Sequence, residues 1–487
     1  MALGAALVLN VAALVPPFLT ALGYSLFSTR CDPLAQIAFF PLLTLPSALL
    51  ASSLGVLTGF AARRLRGALA LYFAVLLGSL AWTLWPIYAG PQVFAFNHLL
   101  GYFPGPLYDE ALTLRPSILW FRGETLLWAA AAWLLAAFGL DMKEGRLRRP
   151  HLRPASALLL LLTVAGAVAI EQRGPWLGLR MTQAHLEQRL GGVRETEHFR
   201  VVYFLGKPKE ELDRLERDLE FRWEQLSKFL GDAPKDKLNV YVYRSAEEKA
   251  RLVGAGGTQF AKPWQLALHI NDARFPHPVL KHELLHVMAA PFGNGPFRAT
   301  ARFGVWTQMA VVEGLAVAGE NRVDDLTLHQ WAAAMRRNAL GPDIRMLFSV
   351  DGFYRVAASR AYTTAGSFLR FLADSYGTER LRSLYLDGDF LRAYGKPLDA
   401  LATEWELWID EVPLDARAEA QAYQRFRRPS LFARSCAREV AALESEAWDY
   451  LASDPEQALT RFERCAALQP EEPGHKLAQA RTLTVLG

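Results

Sequence analysis

Cysteine is scarce. Three residues, Cys31, Cys436 and Cys465, serve a chain of 487. That is too few for a disulfide scaffold, and no CxxC or Cys/His zinc spacing occurs. Net charge is also small, at +4, which argues against nucleic acid as a partner. Most of the charge lies after 171, and Leu, Ala, Phe and Trp dominate the first 170 residues. A chain of this length suggests two or three units.

What fills the first part is long apolar runs. Five stretches, roughly 3–27, 36–60, 67–88, 117–140 and 155–171, approach or reach the length of a bilayer span, which is about 20 apolar residues. No Lys or Arg precedes the first stretch, which argues against a cleaved signal peptide. Cations gather in two loops, AARRLRG (61–67) and DMKEGRLRRPHLRP (141–154). Basic loops stay on the cytoplasmic side. The expected topology therefore has the N-terminus inside, segment 89–116 outside, and everything after 171 outside. A bacterial inner membrane with a periplasmic or extracellular domain fits. Segment 89–116 contains Gly101, Pro104, Gly105 and Pro106, so it reads as an external loop on or in the bilayer rather than a sixth helix. His98, Asp109 and Glu110 could serve a site there, or be plain loop residues. Arg122 and Glu124 are expected to snorkel or to pair with each other.

Beyond 171 the pattern changes. HFRVVYFL (198–205), KLNVYVYR (237–244) and LALHIND (266–272) read as strands, and 208–231 has helical apolar spacing. A helix is expected over about 279–290, after Pro276 and Pro278.

That helix carries KHELLH (281–286). Residues i and i+4 share a helix face, so His282 and His286 can reach one metal ion. Glu283 lies beside them, placed to take a proton from water. This is the H-E-x-x-H arrangement of zinc hydrolases. With ten histidines, chance supplies about 0.2 such pairs, and roughly 0.02 with an acidic neighbour. A catalytic zinc needs a third protein ligand. Glu313 is the candidate, a lone carboxylate in the apolar run WTQMAVVEGLAVAGE (306–320), costly to bury unless paired or ligating. Glu320 competes with it, and an ion pair between Glu313 and a buried Arg is the other reading.

HELLH followed by VVEGLA resembles the gluzincin metallopeptidases, nearest the bacterial peptidase MA-like metallohydrolases, over about 195–410. The resemblance implies one Zn2+ per chain held by His282, His286 and Glu313, a water activated by zinc and Glu283, and peptide or protein substrates. It also implies that Tyr362, within RAYTTAGSFLRFLADSYGTERLRSLY (360–385), donates to the oxyanion; an ordinary half-buried aromatic is the alternative. The Gly-x-Met-Glu-Asn signature of zinc aminopeptidases is absent, and the comparable region reads GTQFAKPW (257–264). An endopeptidase is therefore expected over an exopeptidase.

From about 430 the chain reads as helical, with PEQALTRFERCAALQP (455–470) at tetratricopeptide-like spacing. Cys436 and Cys465 fall in two helices joined at Asp454–Pro455. They are either bridged or two buried free thiols. The expected chain is thus multi-domain. A helical transmembrane bundle (1–171) is followed by a linker (172–194), an α+β gluzincin-like zinc peptidase domain (195–426) and a helical tetratricopeptide-like tail (427–487). The bilayer is one partner, and a protein held by the tail is a second. The competing function is a catalytically inactive, peptidase-like membrane scaffold.

Overall fold

The computed structural model describes residues 2–28, 33–62, 64–105, 115–141, 146–147, 154–320, 322–323, 325–427 and 436–487. Asp109 and Glu110, and most of the basic loop 141–154, lie outside these residues.

Five long helices open the chain: α1 (Ala2–Ser28), α2 (Pro33–Ala61), α3 (Leu65–Ala89), α4 (Pro116–Gly139) and α5 (Pro154–Gln172). Each is long and apolar enough to cross a membrane. Their outward faces are apolar: on α3, Leu77, Trp82 and Trp85 are all more than half exposed. A helix that shows Leu and Trp to its surroundings, and carries no charge after Arg66, has the surface that lipid covers. α1 packs on α2, α2 on α4, and α4 on α5.

Segment 95–103 is a hairpin, not a helix. β1 (Ala95–Asn97) pairs antiparallel with β2 (Gly101–Phe103). The Asn97 side chain organises the turn, accepting from the N–H groups of Leu99 and Leu100 and donating to Ser79 Oγ (2.8 Å) and Thr83 Oγ1 (2.9 Å). The hairpin therefore folds back against the body of α3 rather than leaving it. Arg122 and Glu124 do not pair. Residues two apart on a helix face different ways. Arg122 donates to Ser47 Oγ (3.2 Å), while Glu124 accepts from Trp128 Nε1 (3.2 Å) and lies 3.6 Å from His98 Nε2.

Residues 172–194, read as a linker, carry helix α6 (Gln183–Leu190) and the first strand of a sheet. That sheet has five strands: β3 (Gly191–Glu195), β4 (Phe199–Phe204), β5 (Leu238–Tyr243), β6 (Phe260–Lys262) and β7 (Ala267–Asn271), in the order β3-β4-β5-β7-β6. The β4-β5 and β5-β7 pairs are parallel, and the two edge pairs are antiparallel. Parallel neighbours require a crossover. Helix α7 (Lys209–Leu230) supplies the first, and α8 (Ala246–Val253) lies in the second. Leu212, Leu215, Leu219, Trp223 and Leu226 of α7 join Val201, Val240 and Leu268 of the sheet in one apolar core.

The same core continues into a helical half built on α9 (Leu280–Met288), α10 (Met309–Glu320), α11 (Ala358–Tyr376) and α12 (Thr378–Asp387). A helical N-terminal region is thus followed by an α+β unit. The chain closes with α13 (Ala437–Tyr450), α14 (Pro455–Leu468) and α15 (Pro473–Leu486). Ala447, Ala458, Phe462 and Ala478 form their shared core. Cys465 is a free, buried thiol, so the Cys436–Cys465 bridge is not formed. Cys465 packs instead with Val440 and Leu468, and Cys436 is disulfide-bonded.

Candidate metal centre

Helix α9 is held from both sides. It packs on the β6 and β7 edge of the sheet, on α7, and on α10. Leu284, Leu285, Val287 and Met288 are fully buried, which fixes the rotation of the helix about its axis. His282 and His286 then project together toward α10. Small residues let α10 come close: a Cβ added at Gly319 would lie 2.1 Å from Leu285 Cδ1 of α9. On the other side of α10, a Cβ at Gly366 of α11 would lie 2.4 Å from Val317 Cγ1.

The result is a convergence of three ligand-type atoms. His282 Nε2 and His286 Nε2 are 3.2 Å apart. The Oε2 atom of Glu313 is 3.3 Å from the first and 3.4 Å from the second. A tetrahedral zinc with nitrogen and oxygen bonds of about 2.0–2.1 Å separates its ligands by about 3.3–3.4 Å. The triangle has that size, and two imidazoles with one carboxylate form a donor set that leaves a fourth position open. Among the described residues Glu313 pairs with the two histidines and with no arginine, and the Tyr362 hydroxyl donates to it. A group of His282, His286 and Glu313 can therefore hold a metal ion.

The electrostatics are those of a buried charged cluster. Burial alone would push the His282 ring down, but the Glu313 hydrogen bond and the charges of Glu283, Glu313 and Glu320 raise it to about 9. Burial works on Glu313 in the opposite direction, yet the two imidazoles hold its carboxyl far below the usual range. Glu283 is 8 % exposed, and burial raises its carboxyl above the ordinary glutamate value against the pull of both histidines. Burial, and then the Glu313 and Glu283 carboxylates, raise Tyr362, so it stays a phenol with a proton to donate. Its ring centre is 6.2 Å from that of His282.

Sequence reasoning had Glu320 only as a rival third ligand. In the fold it lies on the far side of the His282 ring, with Oε1 3.8 Å from Nδ1. It stands two turns beyond Glu313 on the same face of α10, a placement against His282 readable only once α9 and α10 were known to be adjacent. His98 is not brought to this centre; it lies 2.9 Å from Thr125 Oγ1 of α4 and stacks on Phe121.

A second feature escaped the sequence. The edge strand β6 and the turn after it are fastened to the C-terminal end of α3. Lys262, 1 % exposed, donates to the carbonyls of Ile87 (2.7 Å), Gly90 (2.6 Å) and Gln92 (2.7 Å). Trp264 Nε1 donates to Tyr88 O (2.7 Å), and Gln265 Nε2 to Tyr88 O and Gly90 O. Burial pulls the Lys262 ammonium down to about 7. Three acceptors oppose that loss, since a neutral amine offers only two N–H groups. A lone lysine in FAKPW was the available signal.

No protein-family model matches this chain, and no curated protein matches it.

Proposed function

We propose that this chain is a membrane-anchored zinc metallopeptidase of the gluzincin kind, hydrolysing peptide bonds of peptide or protein substrates outside the cytoplasm as an endopeptidase. The observation that carries the reading is the zinc-sized triangle of His282, His286 and Glu313 beside the buried carboxylate of Glu283.

When bound, zinc would act as a Lewis acid, polarising the scissile carbonyl and bringing a water pKa toward about 7. The residues around it divide the remaining work. His282, His286 and Glu313 hold the ion. Glu283 accepts the proton of the attacking water and returns it to the leaving amine; a carboxyl raised by burial is suited to both halves of that transfer. Tyr362 donates its phenolic hydrogen toward the developing oxyanion.

The membrane side of the reading is supported by the five apolar helices and by where their ends meet the α+β unit. The end of α3 is bonded to Lys262, and Arg115, just before α4, donates to Ala250 O (2.7 Å). α5 runs on through 174–190 into β3. These three ends share one side, as the basic loops require if 61–67 and 141–154 are cytoplasmic. The Cys436 disulfide suits an oxidising compartment. The tail α13–α15, similar in spacing to a tetratricopeptide repeat, would offer a protein-binding face.

Metal analysis of the purified chain, with variants, tests the enzyme. His282→Ala and Glu313→Ala should lose zinc, while Glu283→Gln should keep it and lose hydrolysis. Absence of stoichiometric zinc from the unaltered protein would return the chain to a non-catalytic scaffold.

A further inference from the structure

The segment joining the two ligand-bearing helices, residues 290–308, has a fold of its own. Strands β8 (Ala301–Arg302) and β9 (Trp306–Thr307) pair antiparallel, and Asn294 bridges to Ala299. The base is clamped to the last turn of α12: Thr300 Oγ1 donates to Tyr385 O (2.8 Å), and Gln308 Nε2 donates to Asp387 O. The tip is different. Phe303 has φ +53 and Gly304 φ +72, the left-handed pair of a tight hairpin turn, a conformation that bulky residues rarely adopt. Phe303 is 98 % exposed, Val305 68 % and Trp306 55 %. Arg298 and Arg302 are exposed beside them. The hairpin thus presents three large apolar side chains flanked by two cations, and no described residue covers them.

The foot of the segment says what does. Tyr88, at the C-terminal end of α3, donates its hydroxyl to Pro296 O (3.2 Å). Its ring meets Phe297 edge-on at 6.0 Å and stacks on Trp264 at 5.9 Å. One and two turns back along α3, Trp85 and Trp82 are exposed. Tyr and Trp at the end of a spanning helix mark the lipid–water interface. The hairpin is therefore continuous with an interfacial belt.

We propose that the Phe303–Trp306 tip is seated in the interfacial layer of the outer leaflet, beside the outer end of α3, with Arg298 and Arg302 among the lipid phosphates. This rests on the reading that α1–α5 cross a membrane with the α+β unit outside. Lipid offers what the tip needs: apolar depth for Phe303 and Val305, and an interface for Trp306. Anionic headgroups attract the arginines. Because the segment links α9 to α10, its contact with lipid also fixes the height of the His282–His286–Glu313 centre above the membrane.

The test uses the full chain in phosphatidylcholine–phosphatidylglycerol vesicles. Val305→Cys is labelled with an environment-sensitive fluorophore, and the unaltered chain treated in parallel supplies the background. In unlabelled vesicles its emission should lie in the blue region of membrane-bound dye; lipids spin-labelled near the headgroup should quench most of it, while lipids labelled at the chain end quench little. A second variant, Leu77→Cys in the middle of α3, should show the reverse depth dependence. Quenching of Leu77→Cys without quenching of Val305→Cys overturns the proposal alone. If neither lipid quenches Leu77→Cys, the spanning reading falls and the proposal with it.

Discussion

The carboxylate of Glu320 lies 3.8 Å from Nδ1 of His282, while Nε2 of the same ring faces Glu313. A ring ligating through Nε2 carries its proton on Nδ1, and an acidic partner there orients the ring and makes it a stronger ligand. Losing such a partner costs about 10–100-fold in metal affinity. Glu320→Gln removes the charge and keeps the shape. Zinc affinity is expected to fall about tenfold, the lower end of that range, because 3.8 Å exceeds a hydrogen bond. Competition against a zinc indicator measures it. An affinity equal to that of the parent protein would deny Glu320 this role.

Zinc and protons compete for the same nitrogen. In the metal-free chain, the surrounding carboxylates hold His282 to about 9. Ligation requires the neutral imidazole, so below about pH 9 one proton must leave for each ion bound. The sign follows: apparent affinity rises with pH and levels off near pH 9. Between pH 6 and 8 the slope is about tenfold per unit for that single proton. Calorimetric titration of the metal-free protein in buffers of different ionisation enthalpy counts the released protons. Binding that releases none at pH 7 would contradict the electrostatics of the site.

Lys262 gives a prediction away from the metal. Its three carbonyl acceptors belong to residues 87–92, and a lysine is the only group there with three donors. Lys262→Met would bury carbonyls of Ile87 and Gln92 without this donor, a cost of about 2–4 kcal/mol. Gly90 O keeps the Gln265 amide. Amide exchange over 87–93 should accelerate while zinc content is unchanged. Protection equal to the parent's would show that the two parts are held together by other contacts.

The legible parts of this protein are those governed by periodicity. Five apolar runs gave five helices within a few residues of their expected ends, and short strand-like runs located β4, β5 and β7, with strict alternation in β5. HExxH was legible because helical spacing alone brings His282 and His286 to one face. Short edge strands were not. β3 begins at Gly191–Gly192, and β6 has three residues; neither is long enough to show alternation, and both exist because a neighbouring strand offers open hydrogen bonds. The Arg122–Glu124 pair failed because helix rotation separates residues two apart. Cys465 is free because its side chain faces Val440 and Leu468 inside the tail, a packing choice that sequence distance from Asp454 does not reveal.

The last prediction concerns packing at a distance from the ligands. Gly366 of α11 faces Val317 of α10, and an added Cβ would lie 2.4 Å from Val317 Cγ1 and 2.7 Å from its Cβ. Valine is branched at Cβ and has little rotamer freedom in a helix, so the clash cannot be relieved by moving a flexible chain end. The two helices must separate instead. Val317 lies one turn beyond Glu313 on the same helix, so a shift of α10 carries Glu313 away from the histidines. Gly366→Ala should cost about 1–3 kcal/mol from overpacking. It should also weaken zinc binding, although residue 366 touches no ligand. Ser375→Ala, an exposed position on the same helix, should stay within about 0.5 kcal/mol of the parent. Thermal unfolding with and without chelator separates the effects: the stabilisation by zinc should shrink in Gly366→Ala and persist in Ser375→Ala. If zinc stabilised both variants equally, the close approach of α10 and α11 would not be what sets the ligand triangle.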